Sequence, residues 1–128
     1  MEQDRYAFIR PAVPWSALER SWTRTSGYLV RIHDVLKARG IPWVLVLYPY
    51  GIQVGPEQWA QGRGVFGFER GRVYDDPRPF ARIEAFAMAH GIPVINAHPA
   101  FLAARDQPLF FRATDISPRP GTGWPPAS

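Results

Sequence analysis

The residues of this chain that could bind a ligand or take part in catalysis lie in loops that follow apolar stretches. They are Tyr48, Tyr50, Trp59 and His98. Aromatic side chains beside strand ends commonly line a pocket for an acyl chain or a sugar. They also cover the edges of sheets, so both interpretations of the three aromatic residues stay open. His98 is also a candidate for substrate binding, although its place before Pro99 favours a turn or hydrogen-bonding role over catalysis.

Other polar clusters have simpler explanations. Asp75 and Asp76 precede Pro77 and resemble a helix N-cap more than a pair of acid and base carboxylates. His33 and His90 fall in helical patterns, without carboxylates at metal-ligand spacing, and the chain has no cysteine. We therefore expect neither a metal site nor a bound cofactor.

Two apolar stretches, each entered from a helical pattern through a glycine, predict buried parallel strands. The first covers residues 41–51, IPWVLVLYPYG, and is typical of a strand buried on both faces. The second covers residues 91–96, GIPVIN. Two helix, glycine and strand units in series predict an α/β fold with a parallel sheet covered by helices. Ligands of such sheets bind beyond the carboxyl ends of the strands.

Three helices are predicted around these strands. The strongest covers residues 15–39, and an apolar stripe marks one of its faces. The members of that stripe are Leu18, Trp22, Tyr28, Leu29, Ile32, Val35 and Leu36. The second helix covers residues 77–90, and a short third one covers residues 99–105. The long connection over residues 48–74 is expected to be a functional loop or a mobile one.

The order of these elements resembles the C-terminal half of SGNH/GDSL-type hydrolases. The resemblance depends on three sequence segments, RGIPWVLVLYP, HGIPVIN and LFF. That family consists of three-layer, flavodoxin-like α/β enzymes, mostly esterases, lipases and carbohydrate O-acyl hydrolases. The resemblance implies an incomplete SGNH-like domain over residues 1–111. It also implies a small-molecule ester or an acylated carbohydrate as the substrate.

The chain departs from that family at its catalytic positions. The family places its serine nucleophile in a Gly-Asp-Ser turn, and no such tripeptide occurs here. It also places an orienting aspartate and a general-base histidine in an Asp-x-x-His or Asp-x-His block. Asp115 stands where the resemblance implies that aspartate, but no histidine follows His98. We therefore expect a domain of an ester hydrolase that is inactive by itself.

The tail over residues 112–128 breaks with the rest of the chain. It is rich in proline and glycine and has neither helical nor strand periodicity, which predicts disorder. Reading its codons one base earlier permits an aspartate at the overlap of Ala113 and Thr114. The same frame then permits Gly-His-Leu-Thr-Pro-Ala-Gly-His-Arg-Leu-Ala, which is close to the family's block. Our hypothesis is that the reading frame shifted near Ala113.

Composition and charge narrow the range of functions. The formal net charge is +4, but the basic residues are scattered and not clustered, which argues against a nucleic-acid surface. No run approaches the length of about 18 apolar residues that spans a membrane. The first residues, MEQDRYAF, contain no apolar signal-peptide core, so the cytoplasm is the default compartment.

Two other functions stay open. The connection after Tyr48 could belong to a noncatalytic module that binds a glycan or an acyl chain. The chain could also be a nonfunctional gene remnant, marginally folded because missing strands leave a sheet edge exposed. A serine-directed phosphonate probe separates an enzyme from a binding module, and a remnant should unfold without cooperativity.

Overall fold

The computed structural model describes residues 5–110, which form a mixed α/β structure as predicted. Residues 1–4 and 111–128 lie outside the described part. The elements in chain order are α1 (Trp15–Ala38), β1 (Leu45–Leu47), a 3-10 turn (Gly51–Gln53), α2 (Ala60–Val65), α3 (Arg78–Ala89), β2 (Val94–Asn96) and α4 (His98–Ala103).

A glycine ends each of the two long helices. Gly40, beyond α1, has a φ of 66°, a left-handed conformation that suits glycine. The N–H of Ile41 donates to the carbonyl of Leu36 at 2.9 Å, which closes the helix end. Gly91, beyond α3, has the same φ of 66°, and the corresponding bond measures 2.8 Å. The Gly-Ile-Pro segment that follows each helix therefore forms the same kind of helix end in both places. Both predicted helix ends are confirmed.

β1 and β2 pair in parallel, with Leu45 opposite Val94 and Leu47 opposite Asn96. α3 connects the two strands and packs on β2. The amide of Asn96 strengthens that contact by donating to Glu84 of α3 at 3.0 Å. The predicted parallel pairing is thus confirmed, although both strands are shorter than the sequence indicated.

The prediction that the first strand is buried on both faces was wrong. Leu47 is buried, but Val44 and Val46 are exposed, and so is Ile95 of β2. The sheet has two strands in the described part of the chain. With so small a sheet, one face keeps its valine and isoleucine side chains in solvent.

α1 packs on α3 through one half of its apolar stripe. The rings of Trp22 and Phe86 meet edge to face at 5.4 Å, and Arg82 pairs with Glu19 at 2.8 Å. The other half of the stripe stays uncovered by residues 5–110. Its members Tyr28, Ile32 and Val35 are 56%, 46% and 54% exposed.

The main apolar core lies away from the sheet, beneath the connection that follows β1. Its buried members are Tyr6, Ile9, Ile52, Phe68 and Tyr74, and Trp59 packs against them. The connection over residues 48–74, which was predicted to be a functional loop or a mobile one, supplies most of this core. The irregular first residues supply the rest.

Candidate functional site

One buried arginine organises the connection between β1 and α3. The side chain of Arg63 is 1% exposed. Its guanidinium donates to the carbonyls of Gln58 at 3.0 Å, Glu69 at 2.9 Å, Arg72 at 2.5 Å and Gly55 at 2.5 Å. Burial lowers the pKa of the Arg63 guanidinium from its ordinary value. Four carbonyls from two segments, residues 55–58 and 69–72, are thus tied to one rigid fork of donors.

Trp59, just before α2, has an unusual backbone conformation. Its φ of 56° and ψ of 44° are left-handed, and among residues 5–110 it is the only residue other than glycine with a positive φ. For a bulky residue this conformation costs about 1–2 kcal/mol. Such backbone strain persists only where the surroundings impose it, and it concentrates at functional sites.

Two glycines make room for the Trp59 side chain. A Cβ atom at Gly62 would overlap the indole ring, and one at Gly51 would lie 2.6 Å from the Trp59 Cβ. The indole stacks on Phe66 with ring centroids 5.6 Å apart and planes at 15°. The tryptophan therefore lies across α2, over Gly62 and beside Phe66, in a single fixed position.

The Trp59 groove is a depression of about 1150 Å³ between α2 and residues 105–110. Its walls combine aromatic and apolar side chains with charged and amide side chains. The residues that line it are Pro56, Glu57, Gln58, Trp59, Ala60, Gln61, Gly62, Val65, Phe66, Val73, Arg105, Asp106, Gln107, Pro108 and Phe110.

Gln58 joins the two walls of the Trp59 groove. Its side-chain amide donates to the carbonyl of Arg105 at 3.2 Å and to that of Gln107 at 2.7 Å. Its side-chain oxygen accepts from the N–H of Leu109 at 3.3 Å. These three bonds fix the width of the groove at this point.

The structure places the predicted aromatic site residues around this region, but not in one cluster. Trp59 lines the groove itself. Tyr50 meets Tyr6 edge to face at 5.2 Å, and Tyr6 in turn lies 6.0 Å from Trp59. Tyr48 is 70% exposed and contacts Phe101 at 6.4 Å.

His98 supports the fold from inside and does not line the groove. It is 2% exposed, and its ring stacks on Phe80 with centroids 4.3 Å apart. Its Nε2 lies 3.1 Å from the carbonyl of Gln53, so the proton is on Nε2. Its backbone N–H donates to Asn96 at 3.1 Å. These contacts bury the ring and bond it to the backbone. The predicted role of His98 in substrate binding stays a prediction.

The remaining candidates for catalysis are dispersed or outside the described part. Asp115 and the tail over residues 112–128 lie beyond residue 110, so the structure does not describe them. The described serines, at positions 16, 21 and 26, all belong to α1. Within residues 5–110, no group of three or more His, Asp or Glu side chains could hold a metal ion.

Several residues that shape the groove could not be predicted from the sequence. Arg63 is one of many scattered arginines, and no local pattern marks it as buried. Gln58 and residues 105–110 meet across a separation of 47 to 51 positions, which periodicity does not predict. The closely spaced glycines around Trp59 were the one available hint, because glycine permits close approach.

Comparison with models of known protein families, with curated proteins and with solved structures found no match. Across residues 5–110, no helix is both long and apolar enough to cross a membrane. The functional interpretation therefore depends on the groove, the exposed apolar faces and the resemblance in sequence.

Proposed function

We propose that this chain is the ligand-binding, C-terminal part of an SGNH/GDSL-like ester or O-acyl hydrolase. In this proposal the chain forms part of the three-layer, flavodoxin-like domain of that family. The phrases RGIPWVLVLYP and HGIPVIN support the family, and both contain a helix end followed by a parallel strand. The substrate is a small-molecule ester or an acylated carbohydrate.

The observation that supports an incomplete domain is the uncovered apolar surface. On the sheet it consists of Val44, Val46 and Ile95, and on α1 it consists of Tyr28, Ile32 and Val35. Parallel sheets in proteins are covered on both faces. Apolar surface of this kind marks a site of protein contact. Further strands of the same domain would cover it.

The proposal assigns binding, and not hydrolysis, to the residues of this chain. The Gly-Asp-Ser turn is absent from the sequence, and no histidine follows Asp115. Without nucleophile and base, a hydrolase retains only the contribution of substrate binding and oxyanion contacts. In the proposed parent, an upstream segment supplies the serine, and the shifted frame, read one base earlier from Ala113, supplies the histidine.

A labelling experiment tests this function. The 128-residue chain and a product extended upstream, with the shifted frame after Ala113 restored, are incubated with a fluorophosphonate probe. Hydrolysis of 4-nitrophenyl acetate is followed in parallel. We expect no label and no hydrolysis by the chain alone, and both by the extended product. Stoichiometric labelling of the chain alone would contradict the proposal.

A second candidate function is a noncatalytic module for a glycan or an acyl chain. The strained Trp59 beside a large groove favours it, because this feature requires neither serine nor base. Ligand binding by the chain, together with a source locus that encodes no Gly-Asp-Ser turn upstream, would favour this module over the hydrolase.

A further inference from the structure

We infer that the exposed face of α1 docks an amphipathic helix whose apolar side chains are flanked by aspartate or glutamate. The inference rests on the proposed function for the source of that helix, which is the part of the parent domain upstream of Met1. Three observations carry it: the spacing of the exposed side chains on α1, the arginines beside them and the parallel pairing of the sheet.

The exposed apolar side chains of α1 have the spacing of a coiled-coil seam. Tyr28, Ile32 and Val35 are exposed, and they follow one another after four and then three residues. With Ile32 at an a position, Tyr28 and Val35 are both d positions of a heptad. These three side chains, which we call the α1 seam, form a ridge about 10 Å long. A narrow ridge of this kind packs into the groove between the side chains of a second helix.

Arginines line one flank of the α1 seam. Arg24 and Arg31 are exposed, and both are g positions of the same heptads. Leu29 and Leu36, at the e positions of the other flank, are half-buried. α1 has two acidic residues, and they stand at b and c positions, outside the seam and its flanks. The free flank is therefore basic, and a complementary helix carries acidic side chains beside it.

A second copy of this chain does not complement the α1 seam. In an antiparallel pair of two α1 helices the g flanks face each other, so arginines would meet arginines. In a parallel pair each arginine flank would face the e flank of the other copy, where the leucines are half-buried in their own chain. The occupant is therefore a different helix.

An anionic membrane surface fits the α1 seam less well than a helix does. Helices that lie in a membrane interface have a large apolar face that is buried among the lipids. Here one flank of the seam is charged and the leucines of the other flank are half-buried, so the exposed apolar surface is a single ridge. A ridge of this width suits packing against one helix.

The parallel sheet indicates the source of the docked helix. Neighbouring parallel strands are joined by a crossover connection, which is usually a helix. α3 is the connection of this kind between β1 and β2, and α1 packs beside it. Each further parallel strand of the proposed parent therefore brings a helix with it. The shifted frame after Ala113 is the poorer source, because its permitted segment carries histidine and arginine but no acidic residue after the aspartate.

Fluorescence anisotropy on the full 128-residue chain tests the surface. The probes are two labelled helical peptides of about four heptads with leucine at a and d, one with glutamate and one with lysine at e and g. We expect the glutamate peptide to bind at least about tenfold more tightly than the lysine peptide. The double variant Arg24→Glu and Arg31→Glu should reverse this preference. The double variant Lys37→Glu and Arg70→Glu has the same net charge, changes exposed residues outside the flank and should retain the preference.

The extended product of the labelling experiment tests the source of the helix. In that product Arg24→Glu with Arg31→Glu should lower the melting temperature by about 3 °C or more, because two acidic flanks would then face each other. In the 128-residue chain the same change should alter it by less than about 1 °C, since both side chains are exposed. The difference between the two proteins should shrink at about 1 M salt.

Three results would overturn the inference. They are a glutamate peptide that does not bind, a peptide preference that survives the reversal of Arg24 and Arg31, and an extended product that the reversal destabilises no more than the chain alone. Binding to vesicles of phosphatidylcholine and phosphatidylserine in place of the glutamate peptide would assign the seam to a membrane and overturn it as well.

The phosphonate probe decides the hydrolase proposal independently of these results. An extended product that is labelled but melts unchanged after the reversal would keep the esterase and remove the docked helix. An unlabelled product with a lowered melting temperature would keep the docked helix and remove the esterase.

Discussion

The Trp59 side chain is positioned by contacts with two glycines, Gly51 before it and Gly62 after it in the chain. Its type and its place after a strand made it a candidate for ligand binding. Its left-handed backbone and its contact with Gly51 and Gly62 depend on how the chain turns back on itself over residues 51–62. No local pattern encodes such a turn. The bonds of Arg63 were unpredictable for the same reason.

Two glycines of α2 form a matched pair for testing the position of Trp59. Gly62→Ala places a methyl group in the indole ring and should lower the free energy of unfolding by about 1–3 kcal/mol. Gly64→Ala meets nothing within 4 Å and should raise it by up to about 1 kcal/mol, because alanine favours a helix. Urea unfolding measures both. Equal effects of the two variants would contradict the described contact.

Removal of the Arg63 guanidinium should disrupt the connection between β1 and α3. Arg63→Met leaves four carbonyls without their donor and should cost about 3 kcal/mol or more. Arg70→Met changes an exposed arginine of the same segment and serves as the control. Thermal unfolding followed by circular dichroism compares them. If both variants melt at the temperature of the unchanged chain, Arg63 does not hold these turns.

The start of α3 should respond to acid through Asp76. Hydrogen bonds from Arg78 lower the pKa of the Asp76 carboxyl below its ordinary 3.8. A lowered carboxyl pKa stabilises the fold above the ordinary value, and this stabilisation disappears as the pH falls through the folded-state pKa.

The variant Asp76→Asn should therefore lower the urea midpoint slightly near neutral pH, by less than about 0.5 M because the pair is exposed. As the pH falls below 3.8 and through the lowered pKa of Asp76, the difference in midpoint between the variant and the unchanged chain should shrink. Asp75→Asn, which leaves the pair of Asp76 and Arg78 in place, is the neighbouring control. A difference that persists unchanged in acid would rule out this role of Asp76.

At the scale of elements, α1, α3 and α4 were predicted more closely than the strands, whereas α2 was not predicted. α1 ends within one residue of the predicted limit, because Gly40 supplies a local stop. Strand length instead depends on the pairing partner. β1 was predicted over residues 41–51 but covers Leu45–Leu47, since Pro93 directly precedes β2 and has no N–H to extend the ladder.

The exposed half of the apolar stripe on α1 leads to a prediction for this helix. The double variant Ile32→Gln and Val35→Gln should lower the binding of the dye ANS, which reports exposed apolar surface. It should change the free energy of unfolding by less than about 0.5 kcal/mol, because neither side chain is buried. Val65→Gln, on α2, is the control for an exposed residue outside this surface. A large loss of stability in the double variant would show that something covers the stripe.

At the scale of the whole molecule, the chain has a well-packed part and an uncovered part. The aromatic core beneath residues 51–74 holds Trp59 and the groove. The two-stranded sheet and α1 leave apolar side chains exposed on one side. A two-stranded sheet needs further strands or a packed helix for stability, and α3 packs on β2. The proposed parent domain would explain both parts. Its additional strands would cover the exposed apolar side chains of the sheet and α1, and its serine would complete the site.

The central claim, that this chain is the binding part of a larger hydrolase, is tested most directly at the source locus. The measurement is the DNA sequence from well upstream of Met1 to beyond Ser128. We predict a Gly-Asp-Ser turn in an open frame upstream, and Asp-Gly-His-Leu-Thr-Pro in the shifted frame from Ala113. Wobble bases that forbid those codons, together with no upstream serine turn, would contradict the claim.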